Sequence, residues 1–241
     1  MPLTVATFNT HDAVGADGVR DVSRIARTIE ETGAEIVALQ EVSGPGDIPG
    51  TRPDHFAALA DAFGGHAVEG PAIQDERRRY GNLLLSRWPL TDWRIADLAH
   101  PWREPRNAIA ATVAAPDGPI RVVASHFGLG HGERRAQARL IGDLASETAD
   151  MPTVILGDFN DWLPLSPVVR LLSRALGQHI GAVRRLPTFP SRLPVLALDR
   201  ILMNDRMHLR DVRVPASALA RTASDHRPLV AEVEIVADAS G

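Results

Sequence analysis

The chain has no cysteine, so a disulfide framework, a thiol nucleophile and a thiolate metal site are all excluded. It has no lysine either, and arginine supplies all 26 basic residues. A guanidinium fork suits bidentate phosphate contact, but such a bias also follows from a GC-rich coding sequence, which is the preferred reading here. No run approaches the ~18 apolar residues of a membrane span, so stable membrane insertion is not expected. The first residues lead into strand-like sequence instead of a basic n-region and an apolar h-region, which makes the cytoplasm the expected compartment. An excess of positive charge is also lacking: the net charge is −4 and the pI about 6.1. That weakens a nuclease reading, because a tight nucleic-acid binder carries a basic footprint. No linker or low-complexity segment divides the 241 residues. Hydrophobic content of 44% and charged content of 23% are those of an ordinary globular protein, and a single domain over 1–241 is expected.

What is present gathers around Val154-Ile-Leu-Gly-Asp-Phe-Asn-Asp161. The run from Thr153 to Leu156 reads as a buried strand that Gly157 breaks, so that Asp158 and Asn160 emerge at its carboxyl end. In open α/β sheets ligands sit at that edge, although an Asp/Asn turn closing a strand looks the same. Four other strand-like runs end in polar residues: Val5 to Asn9, Ile36 to Glu41, Arg121 to His126, and Leu196 to Asp199 running into Arg200. Ser224-Asp-His226 then opens a last apolar run, Leu229 to Val236. Asp199 inside an apolar stretch needs a partner, because a buried carboxylate is costly without one.

Between these runs, Asp21 can cap a helix with Val22, Ile25, Ala26 and Ile29 on one face, ended by Gly33. A second helix is expected from about Asp54 to Phe63, a third from Glu133 to about Thr148 with Leu140, Ile141 and Leu144 inward, and a fourth through Leu171, Leu172 and Leu176, its start bracketed by Pro164 and Pro167. Ser43 to Pro53 is a surface loop rich in Pro and Gly. Ala108 to Ala114 and the strand ending at His126 read as a hairpin. Thr7-Phe-Asn-Thr10 faintly echoes Asp158-Phe-Asn-Asp161, as two related halves would.

Taken together and in this order, the motifs from Asn9 to His226 resemble the endonuclease/exonuclease/phosphatase family of metal-dependent phosphoesterases. The resemblance implies an α/β fold, a four-layer α/β/β/α sandwich of two mixed, largely antiparallel sheets with the site where both sheets end. It implies Glu41 as the principal Mg²⁺ ligand, with Asn9 and Asp225 close by, and Mn²⁺ as a substitute. Hard oxygen ligands suit Mg²⁺, and no His-Glu-x-x-His pattern points to zinc. Asp158 and Asn160 would orient or activate water. His226, oriented by Asp199, would contact the phosphate or serve as acid or base, and His126 would donate to a phosphoryl oxygen. Tyr80, Asn82, Arg106 and His11 occupy positions that the resemblance implies for substrate binding; Arg77 to Arg79 read rather as a solvated loop. Trp102, Phe127, Trp162 and Phe189 could stack on a base, with packing as the default.

The function these readings imply is phosphodiester hydrolysis by a monomer, with nucleic acid as the leading substrate. A phospholipid head group or a small phosphoester is the first rival, and a silent binding module the second. Exposed apolar loops at the site mouth would favour lipid; an arginine stripe with a stacking aromatic would favour nucleic acid.

Overall fold

A computed structural model describes residues 2–236 except 49, 51, 149, 164–165 and 178–184. Pro164 and the tail after Ala237 therefore lie outside the described residues. The first half of the chain begins with β1 (Leu3–Asn9), α1 (Val22–Thr32) and β2 (Ile36–Pro45). It goes on through α2 (His55–Phe63), β3 (His66–Gln74) and β4 (Arg78–Ser86). The second half has β5 (Leu90–Asp97), β6 (Asn107–Ala115), β7 (Gly118–His126), α3 (His131–Ser146), β8 (Thr153–Asp158) and α4 (Pro167–Ala175). Three further strands close the chain: β9 (Asp199–Met203), β10 (Met207–Arg213) and β11 (Leu229–Ile235).

The strands form two sheets, in the orders β10-β11-β1-β2-β4-β3 and β5-β6-β7-β8-β9. Among the described residues only β1 with β2 and β7 with β8 run parallel, and each pair is joined by a helix, α1 or α3, the usual crossover for parallel strands. Alternation along the strands sorts side chains into layers. Leu84, Ile109, Val122 and Leu156 meet between the sheets. Leu83 and Leu85 turn to the outer side, where sheet one packs with Ile25, Ile29, Phe56 and Leu59. Val123 and Ile155 pack likewise with Ile141 and Leu172 on the outer side of sheet two. The result is the four-layer α/β/β/α arrangement.

Capping follows the sequence signals. The Asp21 side chain accepts from the Ser23 amide, and Gly33 closes α1 at a φ of 66°, a conformation cheap only for glycine. Leu140 corrects an expectation: it is 45% exposed, and Ala138, Ile141 and Leu144 form the inward stripe of α3. The α3 helix also starts earlier than expected, at His131. Gly157 does not break β8, which continues to Asp158. A Cβ on Gly157 would lie 1.8 Å from the Ser125 carbonyl oxygen, so this glycine lets β8 approach β7 closely. Asp199 opens β9 instead of closing a strand. Because β9 runs antiparallel to β8, with Asp199 opposite Asp158, its first residue still lies at the same edge.

Four strands in each sheet repeat one pairing pattern, antiparallel, parallel, antiparallel: β11-β1-β2-β4 and β6-β7-β8-β9. The echo between Thr7–Thr10 and Asp158–Asp161 falls on β1, the first strand of its crossover, and on β8, the second of its own. It therefore does not mark equivalent positions.

Candidate active site

The parallel strand pairs of the two sheets bring their carboxyl ends together. Asn9, last in β1, donates from Nδ2 to Glu41 Oε1 at 3.0 Å and to Asp158 Oδ2 at 3.0 Å, joining the two sheets through one amide. Its Oδ1 accepts from the His11 amide at 3.0 Å. Glu41 sits in a bulge where the β2–β4 register shifts, at a φ of 59°. Such a bulge re-aims a side chain, and here it turns Glu41 toward Asn9. Asn160 adopts a φ of 50°, which asparagine tolerates better than most residues. Its amide N–H donates to Asp158 Oδ1 at 2.9 Å, and its Nδ2 donates to the Phe127 carbonyl at 2.8 Å and approaches His126 Nε2 at 3.2 Å.

Two histidines flank the same carboxylate oxygen. His126 Nε2 lies 3.6 Å from Asp158 Oδ2, and His226 Nε2 lies 3.7 Å from it. Their environments drive them apart. Burial, helped by the Arg106 charge, lowers the His126 pKa to about 3, so this ring is neutral at neutral pH. Burial would lower that of His226 too, but the Asp199 charge and hydrogen bond, with Asp158 and Asp225 behind, raise it to about 10. The His226 Nδ1 to Asp199 Oδ2 distance is 2.8 Å, and Thr188 Oγ1 donates to the same oxygen at 2.5 Å. A neutral and a cationic imidazole on one carboxylate is the division of labour that acid and base roles need.

Asp225 Oδ1 lies 3.7 Å from His11 Nδ1 and accepts from Ser224 Oγ at 3.3 Å. Ser224 Oγ donates to the Asn9 carbonyl at 2.8 Å, which ties this loop to β1. His11, Asp12 and Ala13 all have positive φ, in a turn that Asp12 pins through Ser43 and Arg20. The Tyr80 phenol bonds to Glu41; burial first and then that carboxylate push its pKa up. Arg106 is held by Glu104, and its Nε is buried with no partner among the described residues. Asn82 reaches across to sheet two, donating to Asn107 Oδ1 at 2.8 Å.

Strand alternation divides the arginine run. Arg78, Tyr80 and Asn82 share one face of β4, with the Arg78 guanidinium 5.8 Å from the Tyr80 ring centre. Arg79 faces the other way, bound to Asp54 at 2.6 Å and to Glu69 and stacked over Phe56. Arg77 and Arg78 join Ile48, Arg52 and Asp75 around a cavity of about 550 Å³. Of the aromatics, Phe127 stacks on Phe159 in the core, Phe189 lies 5.0 Å from His226, and Trp102 and Trp162 are exposed.

Thr188 and Asn107 were not legible as site residues. Asn107 had a weak signal, a polar residue opening an apolar strand; Thr188, inside a proline-spaced loop, had none.

The model of the Endonuclease/Exonuclease/phosphatase family matches residues 6–226, a span that takes in every residue of this constellation. The chain belongs to that family. Its members are phosphoric ester hydrolases, and so is this chain. Escherichia coli K12 YbhP, itself uncharacterized, is 28% identical over 96% of each chain. Solved structures also share the family fold. An endonuclease/exonuclease/phosphatase from Beutenbergia cavernae aligns with a TM-score of 0.78 at 24% identity, covering 97% of this chain and 72% of that one. The mannosyl-6-phosphatase of Bacteroides thetaiotaomicron aligns at 0.74 and 16%, covering 97% and 100%.

Family members generally depend on a divalent metal, and the donors present suit a hard cation. Glu41 and Asp158 converge on the Asn9 amide and on His126 Nε2, 3.9 Å from Glu41 Oε1 and 3.6 Å from Asp158 Oδ2, and Asp199 Oδ1 is buried without a partner among the described residues. Asp158, Asp199 and His226 also lie close enough to share an ion. The Asp199 bond already occupies His226 Nδ1, however, which favours the Glu41 side.

Proposed function

We propose that the chain is a Mg²⁺-dependent phosphodiesterase that cleaves a P–O bond by in-line attack of water. The observation that carries this reading is the meeting of Asn9, His126 and His226 around one buried oxygen, Asp158 Oδ2. Glu41, with Asn9 and Asp225 near it, would hold the Mg²⁺, which supplies charge neutralisation at the phosphoryl oxygens when bound. Asp158 takes the proton of the attacking water, and Asn160 fixes the Asp158 carboxylate through its backbone amide. His226, protonated and held by Asp199, gives its Nε2 proton to the leaving oxygen as the P–O bond breaks. His126, neutral, offers its single N–H to a phosphoryl oxygen, while Tyr80 fixes Glu41 and Arg106 adds positive charge near His126.

Asp158→Asn and His226→Ala should each lower turnover of a chromogenic phosphodiester by about 10² to 10⁴ while leaving the thermal unfolding transition cooperative. Near wild-type turnover in either variant would remove that residue from the mechanism. For substrate class, the net charge of −4 and the exposed apolar side chains on the loops around the site favour a phospholipid head-group diester over nucleic acid. The cavity lined by Arg52, Arg77 and Arg78 favours nucleic acid as the second reading.

A further inference from the structure

The loops that carry the site also carry large apolar side chains out into solvent. Trp102 is 100% exposed and stands four residues before Arg106. Leu129, 74% exposed, follows His126 by three residues, and Trp162 and Leu163 follow Asn160 directly after Asp161. Leu193 and Val195, 74% and 65% exposed, lie on the loop between Thr188 and Asp199. These loops leave the site end of β7 and β8 or enter the site end of β6 and β9, so the six side chains stand on loops at the site end of sheet two. Scattered exposed apolar residues need no explanation, but a set gathered at the mouth of a site marks an interaction surface.

Trp102 carries a second sign. It occupies a turn closed by the Arg103 amide on the His100 carbonyl at 3.1 Å, follows Pro101, and has a φ of 63°. Such a corner normally takes glycine or asparagine, and a bulky residue there is strained. Strain of this kind persists at functional positions, and here it holds an indole fully in water. Arg103 follows it in sequence, more than half exposed, with its Nε 4.0 Å from Glu133 Oε2. Indole rings with neighbouring arginine and protruding leucine and valine match the boundary between lipid head groups and acyl chains. Aliphatic side chains offer nothing for a base to stack on, so the mixture fits a nucleic-acid strand poorly.

We propose that this rim docks the site onto the surface of a phospholipid bilayer and presents to it a head-group phosphodiester still anchored in the membrane. The inference rests on the phosphodiesterase reading for its substrate, but the docking itself needs no turnover. The test is co-sedimentation with vesicles of phosphatidylcholine mixed with phosphatidylglycerol, in EDTA so that nothing is hydrolysed. The wild-type protein should pellet with the vesicles, and Trp102→Ser and Leu193→Ser should each weaken partitioning by about tenfold, the loss of one buried apolar side chain. Trp93→Ser serves as the control, because Trp93 is exposed on the edge strand β5, within the strand and away from the opening. It should partition like wild type. The Trp102→Ser/Leu193→Ser double variant should turn over soluble bis(p-nitrophenyl) phosphate at the wild-type rate.

Wild-type protein that stays in the supernatant would overturn the proposal, as would an equal loss in Trp93→Ser. Loss of binding to a labelled single-stranded oligonucleotide in the double variant, with vesicle binding intact, would overturn it in favour of a base-stacking surface. Wild-type protein that pellets with vesicles but is inactive on the soluble diester would uphold the docking and defeat the phosphodiesterase reading.

Discussion

His226 and Asp199 show how two side chains can set the pH behaviour of the site. The imidazole would lose its proton readily in an apolar interior, yet the carboxylate at 2.8 Å holds that proton up to about pH 10. The folded value thus lies above the ordinary 6.5, so the pair's contribution to stability is fully present below about pH 6.5 and is lost as pH rises through about 10. Asp199→Asn should therefore lower the melting temperature more at neutral pH than at pH near 10, measured in EDTA by thermal unfolding. An equal loss at both pH values would contradict the assignment. His126 has the opposite sign: its folded value is depressed, so its contribution is present above about 6.5 and is lost as pH falls toward about 3. Asp199 was legible in the sequence because a carboxylate within an apolar run demands a partner; Thr188, which shares its Oδ2, left no trace in composition or spacing.

The strands that bear the chemistry were legible because their neighbours bury both faces. β1, β2, β7 and β8 are central and read as apolar runs ending in polar residues. β3, β5 and β10 were not legible, and all three are edge strands, where proline and charged side chains are tolerated: Pro71 in β3, Asp92 and Arg94 in β5, His208 and Arg210 in β10. The bulge that aims Glu41 and the alternation that separates Arg78 from Arg79 depend on pairing register, which one sequence does not carry. Gly157 belongs with these features, since its role appears only once β8 is laid against β7. Gly157→Ala would force its Cβ against the Ser125 carbonyl, a backbone atom of the ladder that cannot swing aside. The expected cost is about 1–3 kcal/mol or more, read from denaturant unfolding together with loss of activity from a displaced Asp158. A stability within about 0.5 kcal/mol of wild type would show that the two strands can separate freely.

Two sheets, each with one parallel pair, present four carboxyl ends and the first residue of β9 to a single opening, and the side chains there come from every part of the chain. Asn9 and Asp158 are 149 residues apart in sequence and share one hydrogen bond. The caps of α1 could be anticipated from local helix signals, and the layers and the shared edge from the family resemblance that the motifs carry in their order. The apolar rim could not, since Leu129 and Leu193 read in sequence as ordinary loop residues, and Trp102 as a packed residue or one that could stack on a base. The central claim is that the opening is a metal-dependent phosphodiesterase centre. Its most direct test is turnover of bis(p-nitrophenyl) phosphate by the purified protein, with Mg²⁺ added and then withdrawn by EDTA. Hydrolysis that requires Mg²⁺, stops with EDTA and returns when Mg²⁺ is restored is the predicted result; hydrolysis unaffected by EDTA would contradict the account.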